Sequence, residues 1–209
     1  LLKRSELPVA GKTYLLEQLE DYDYVMKNFY TVHPTAAAGR DMINAETFLS
    51  KDFALEQDSS KPQILIYHSH SQEEFADYHR GNREATIVGV GEYLTELLRK
   101  KGYQVIHDTS VYDLREGTLD RSKAYTYALE GIESILKENP SIQVVLDLHR
   151  DGVAEGTHLV REINGKPTAT VMFFNGTSQT PDGPISYLEN PNREDNLAFS
   201  FQLKLCAEA

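Results

Sequence analysis

Tryptophan is absent from this 209-residue chain, and cysteine occurs once, at Cys206. A lone cysteine cannot close an internal disulfide, so no disulfide framework organises the fold, and cysteine usage says nothing about compartment. No apolar run approaches the ~20 residues a membrane-spanning helix needs, so no membrane segment is expected within the chain. Basic residues are few, 21 against 32 acidic ones, giving a formal net charge of −11. A surface of that sign repels a polyphosphate backbone, which argues against nucleic acid as a partner. No Gly-x-Ser-x-Gly elbow occurs, so a serine hydrolase of the α/β type is disfavoured. What remains is ordinary for a globular protein: 40% apolar residues, 25% charged, 13 glycines and 8 prolines. This length suits one domain, with or without a short extension, burying roughly 70% of its unfolded surface. The chain starts at Leu1 without methionine and stops at Ala209 inside an apolar-periodic pattern. It is expected to be a fragment, with room for a leader or membrane anchor before Leu1.

Residues 1–62 have weak periodicity, with a helical stretch at Tyr14–Phe29 and a polar run, Glu56-Gln-Asp-Ser-Ser-Lys-Pro62, that has linker composition. The expected division is therefore an N-terminal extension and linker over 1–62 and a core domain over 63–209. From Gln63 the signals alternate. Gln63–Tyr67 is a short apolar strand. A helix over Glu84–Lys100 carries Ile87, Val88, Val90, Leu94, Leu97 and Leu98 at helical spacing, with Gly102 at its C-cap. A strand at Tyr103–His107, a helix at Arg121–Glu138 and the very apolar strand Ile142–Leu148 follow. Two further strands are expected at His158–Ile163 and Ala169–Asn175, and a last helix from Asn192 onward. Strand–helix–strand alternation predicts the α/β class, with a twisted, mostly parallel sheet flanked by helices on both faces.

Ligands of open α/β sheets gather beyond the carboxyl ends of the strands. Two histidine clusters fall there: Tyr67-His-Ser-His70 after the first strand and His149-Arg-Asp151 after the Val144–Leu148 strand. Imidazoles delivered to one edge by two buried strands suit a metal site. Glu84, at the start of the following helix, is a candidate third ligand, though an acid there also serves the helix dipole. Two histidines, one carboxylate and one open position make a catalytic zinc arrangement suited to amide hydrolysis. Each part has an ordinary alternative as well: a polar turn for His68 and His70, and surface or capping roles for His107 and His158. Two look-alikes fail. His149-Arg-Asp151 opens like a kinase catalytic loop, but Gly156 stands where that loop needs asparagine. His68-Ser-His70 continues Ser71-Gln72-Glu73 and so lacks the second half of a metallo-β-lactamase site. Asn175-Gly-Thr177 is a chance sequon at a strand end.

Several stretches, in order, resemble the bacterial stage II sporulation protein P family. They are Ile64-Leu-Ile-Tyr-His-Ser-His-Ser-Gln-Glu73, Thr86-Ile-Val-Gly-Val-Gly-Glu-Tyr-Leu94, Val144-Val-Leu-Asp-Leu-His-Arg-Asp-Gly152, Met172-Phe-Phe-Asn-Gly176 and Asn196-Leu-Ala-Phe-Ser-Phe201. With Asn28-Phe-Tyr-Thr-Val32, the resemblance covers about residues 28–205. That family is similar to the zinc-dependent N-acetylmuramoyl-L-alanine amidases, which cut the bond between the glycan lactyl group and the stem peptide of peptidoglycan. The resemblance implies a zinc amidase-like fold and septal wall remodelling during endospore formation. It also implies an extracytoplasmic, membrane-anchored parent protein at the sporulation septum, and stage II sporulation proteins D and M as partners beside peptidoglycan. Residue by residue, it makes His70, Glu84 and His149 the Zn2+ ligands, with Glu73 a competing carboxylate. His68, Glu73, Arg150 and Asp151 become supporting or substrate-contacting groups. The amidases' catalytic glutamate lies on a strand near their C-terminus and falls beyond Ala209. A metal-containing wall-binding or scaffold module without that glutamate is the alternative function.

Overall fold

The computed structural model describes residues 11–76 and 81–208; the first ten residues of the expected N-terminal extension lie outside them. The chain forms two compact units. One spans 54–157, and the other joins the N-terminal segment, up to Phe53, to everything from His158 onward. The C-terminal segment completes the core of the N-terminal one instead of extending the sheet.

The N-terminal segment holds α1 (Leu16–Glu20), α2 (Tyr22–Phe29) and α3 (Ala45–Ser50). The helical stretch at 14–29 is thus two helices. Asp21 interrupts it because its carboxylate caps α2, accepting hydrogen bonds from the Asp23 and Tyr24 amides at 2.9 and 3.3 Å. Helices this short cannot bury an apolar face alone. Their Leu19, Val25 and Phe48 pack with Leu197, Ala198 and Phe201 of the C-terminal helix.

The central unit runs β1 (Ile64–Tyr67), a 3-10 turn (Arg83–Ala85), α4 (Ile87–Lys100), β2 (Val105–His107), β3 (Leu114–Arg115), β4 (Thr118–Leu119), α5 (Ala124–Glu138) and β5 (Val144–Asp147). The order β2-β1-β5 makes a small, wholly parallel sheet flanked by helices. Ile64, Leu65 and Ile66 are all buried, so β1 is covered on both faces, as a central parallel strand requires. Ile64, Ile66 and Val105 pack with Leu94, Leu98, Leu146 and Leu148. Thr86 caps α4 through its hydroxyl, which accepts from the Gly89 amide at 3.1 Å. Glu84 therefore sits in the 3-10 turn before α4, not in its first turn. The tip between β3 and β4 is Glu116-Gly117, both at positive φ.

After residue 157 come β6 (Val160–Ile163), β7 (Lys166–Ala169), β8 (Gln179–Thr180), β9 (Gly183–Pro184) and α6 (Arg193–Glu208). The two late strands expected in the parallel sheet are not part of it. β6 and β7 pair with each other, antiparallel, and residues 170–178 form no strand. The cause is local. Asn164 and Gly165 both take positive φ, 53° and 74°, which is the two-residue turn that folds a chain straight back on itself.

Candidate active site

The parallel sheet sets the site. Tyr67 lies opposite Asp147 in register, so the turns leaving β1 and β5 emerge side by side. The first carries His68, Ser69, His70 and Glu73; the second carries His149, Arg150 and Asp151. The rings of His70 and His149 meet at 5.2 Å between centroids, inclined at 63°. Tyr125, on the first turn of α5, packs edge-on against His70 at 5.1 Å and lies 6.1 Å from His149.

Asp147 ties the two turns together. Its Oδ1 accepts from the Ser69 amide at 3.0 Å, and its Oδ2 accepts from the Ser69 hydroxyl and from His149 Nε2, both at 2.8 Å. Burial pushes the Asp147 carboxyl up, but the hydrogen bonds from His149 and Ser69 outweigh it and hold it below its ordinary value. The same bond, with Asp147's charge, raises the His149 pKa against the opposing effect of burial.

Glu73 is the second tie, with a side chain only 3% exposed. Its Oε1 accepts from the Arg121 guanidinium at 2.6 Å and its Oε2 from the Arg150 amide at 2.8 Å. Charge-assisted bonds of this length are the strong kind. Glu73 thus fastens the start of α5 and the His149 turn to the turn after β1. Arg150 also reaches back to its neighbour's carbonyl, Nη1 to Asp151 O at 3.1 Å, and Asp151 is exposed.

His68 faces elsewhere. It is fully buried, with Nδ1 2.9 Å from the Leu148 carbonyl and Nε2 2.9 Å from His107 Nε2. Both ring nitrogens are engaged. Gly91 of α4 makes room for this pair, since a Cβ there would stand 2.7 Å from either Nε2. Burial lowers the pKa of His68, His70 and His107 alike.

Among the expected metal ligands, His70 and His149 are brought together, and Glu84, exposed in its 3-10 turn, makes no contact with either among the described residues. Among those residues, no group of three or more His, Cys, Asp or Glu is arranged to hold a metal. The pair itself has the donor chemistry that a metal needs. His70 Nδ1 is buried without a hydrogen-bond partner, and His149 Nδ1 lies 3.9 Å from Glu73 Oε2, beyond hydrogen-bond distance.

Sequence reasoning passed over Asp147, Ser69, Arg121 and Tyr125, and gave His107 an ordinary surface or capping role. The signal for Asp147 was present, because residues two apart on a strand share a face and Asp147 precedes His149 by two. In the helix the sequence predicts over 121–138, Arg121 and Tyr125 stand four apart, a spacing that repeats one face; in the structure Arg121 lies in the turn before α5 and Tyr125 in its first turn.

A family model described as stage II sporulation protein P matches residues 14–209. The chain belongs to that family. No curated protein and no solved structure matches it. The stage II sporulation protein P assignment carries a role in sporulation and an association with peptidoglycan hydrolysis. No helix among the described residues is long and apolar enough to cross a membrane.

Proposed function

We propose that this chain is the zinc-dependent peptidoglycan hydrolase part of its parent protein, of the N-acetylmuramoyl-L-alanine amidase type, acting at the sporulation septum. The observation that supports this best is the facing pair His70 and His149. A buried imidazole nitrogen with no partner is costly, and His70 Nδ1 is one. A metal removes that cost. The proposed third ligand is Glu84, as the family resemblance implies, with Glu73, whose oxygens accept from Arg121 and the Arg150 amide, as the competing carboxylate. Zinc, when bound, supplies Lewis acidity for the scissile carbonyl and lowers the pKa of water. The protein holds the two imidazoles at fixed separation through the β1–β5 register and the Asp147 and Glu73 ties. Tyr125, exposed beside both rings, gives the substrate an apolar face to lie on. Stage II sporulation proteins D and M are the proposed partners, and the proposed location is outside the cytoplasmic membrane.

A second reading is a wall-binding or scaffold module without turnover. It is favoured by the lack of an assembled three-ligand group among the described residues.

The test is zinc content with release of new peptide amino termini from purified sacculi. His70→Ala and His149→Ala each strip the metal and abolish release, while His107→Ala keeps its zinc. Glu84→Gln weakens zinc binding more than Glu73→Gln does. Stoichiometric zinc retained by His149→Ala overturns the ligand assignment. Zinc bound with no release from sacculi, both by the unaltered chain and by one extended past Ala209 through the strand that carries the family's glutamate, selects the wall-binding module.

A further inference from the structure

Every hydrogen-bonding atom around the Asp147 carboxylate points to one role. A carboxylate only accepts, so the groups within reach must each donate: the Ser69 amide, the Ser69 hydroxyl, His149 Nε2 and the Tyr67 hydroxyl. Ser69 has one hydroxyl hydrogen and spends it on Asp147. Its Oγ lies 3.0 Å from His149 Nε2 and therefore accepts there. Asp147 thus requires the hydrogen of the His149 ring to sit on Nε2, and Ser69 Oγ, its own hydrogen turned to Asp147, accepts from the same N–H. In the neutral ring the lone pair then falls on Nδ1, the nitrogen on the Glu73 side of the site.

We infer that Asp147 is a positioning residue, which with Ser69 fixes His149 in its Nε2–H form and presents Nδ1 as the metal-binding atom. It touches no reacting atom and acts through His149. Ser69 lies between His68 and His70, so the same carboxylate sets the spacing of the β1 turn from the β5 turn. It also strengthens the imidazole as an electron-pair donor, because an ionised carboxylate draws on the Nε2–H bond. This inference rests on the metal-site reading above for its second half only; which nitrogen carries the hydrogen is a property of the chain without metal.

The experiment uses the full chain, with Asp147→Asn and Ser69→Ala. In metal-free protein, at a pH where the ring is neutral, long-range 1H–15N correlations report the tautomer of His149. The expected result is the Nε2–H form in the unaltered chain and a shift towards Nδ1–H in Asp147→Asn. Zinc affinity, measured by competition with a chelating dye, falls about 10- to 100-fold in Asp147→Asn and less in Ser69→Ala. A residue that merely stiffened the turns would lower the unfolding midpoint without moving the tautomer. The Nδ1–H form in the unaltered chain overturns the inference, and so does Asp147→Asn zinc affinity within twofold of it. If Asp147→Asn fails to fold, the tautomer of the unaltered chain still decides the first half, and in Ser69→Ala, where Asp147 remains, the Nε2–H form is expected to persist; its loss there would show that Ser69 and not Asp147 sets the tautomer and would overturn the inference. If the unaltered chain binds no zinc, the metal reading fails, and the tautomer measurement still decides what Asp147 does.

Discussion

His68 and His107 meet Nε2 to Nε2 at 2.9 Å, under helix α4, at the one point where that helix carries Gly91. His68 Nδ1 donates to the Leu148 carbonyl, so in the neutral pair His107 supplies the shared hydrogen. The pair joins neighbouring strands β1 and β2 and leaves His68 no nitrogen for metal or substrate.

Gly91→Ala tests that packing. Alanine in a helix interior is ordinarily favoured over glycine by up to ~1 kcal/mol. Here the added methyl stands 2.7 Å from both rings and must displace them. A net loss of about 1–3 kcal/mol in urea unfolding is expected; an unchanged or raised midpoint would show that the rings move freely.

The same burial predicts a pH dependence for metal-free protein. Burial lowers the folded pKa of His68, His70 and His107, while unfolded imidazoles take up protons near pH ~6.5. The unfolded chain therefore gains protons first on acidification, and stability present above pH ~6.5 is lost as pH falls through the folded values. His149 runs the other way: its raised pKa gives stability below its unfolded value that fades as pH rises through the folded one. In His149→Gln, which removes the opposing group, the urea midpoint falls from one unit above pH ~6.5 to one unit below it. His107→Gln added to it flattens the slope. A midpoint that rises on acidification in His149→Gln would refute this reading.

Arg121 and Glu73 couple strongly across the site. Arg121→Ala leaves a carboxylate that is 3% exposed with only the Arg150 amide as donor, at a cost of about 2 kcal/mol. The same change made on top of Glu73→Gln costs clearly less, because no buried charge is then stranded. Equal costs in the two backgrounds would mean that the contact is energetically idle.

In the unit built from the chain ends, Phe201 stacks against Phe29 and Phe48 at 5.0 and 5.7 Å. Phe201→Ala costs about 3–5 kcal/mol by denaturant unfolding. Tyr30→Phe has the opposite sign, because the Tyr30 hydroxyl is buried without a partner. Its removal raises the midpoint by the equivalent of about 1 kcal/mol. A loss in Tyr30→Phe would reveal a partner for that hydroxyl.

The α/β class, the three parallel strands, the long helices and the two histidine turns were legible in the sequence, because each rests on local periodicity or on a run of adjacent residues. Family membership was legible too, since ordered motifs carry it. Local signals also contained the Asn164-Gly165 hairpin, but the apolar run at 169–175 masked it, and only pairing decided that β7 returns along β6. Three features belong to the tertiary structure alone. The C-terminal helix closes on the N-terminal helices because neither segment can bury its apolar face by itself. Glu73 holds Arg121 and Arg150 from 48 and 77 positions away, a pairing that no spacing rule foresees. The partner of each imidazole nitrogen was set by strand register, which placed Asp147 opposite Tyr67 and so within reach of both Ser69 and His149. Periodicity tells which face of a strand a side chain takes, but only the packed sheet tells what stands across from it.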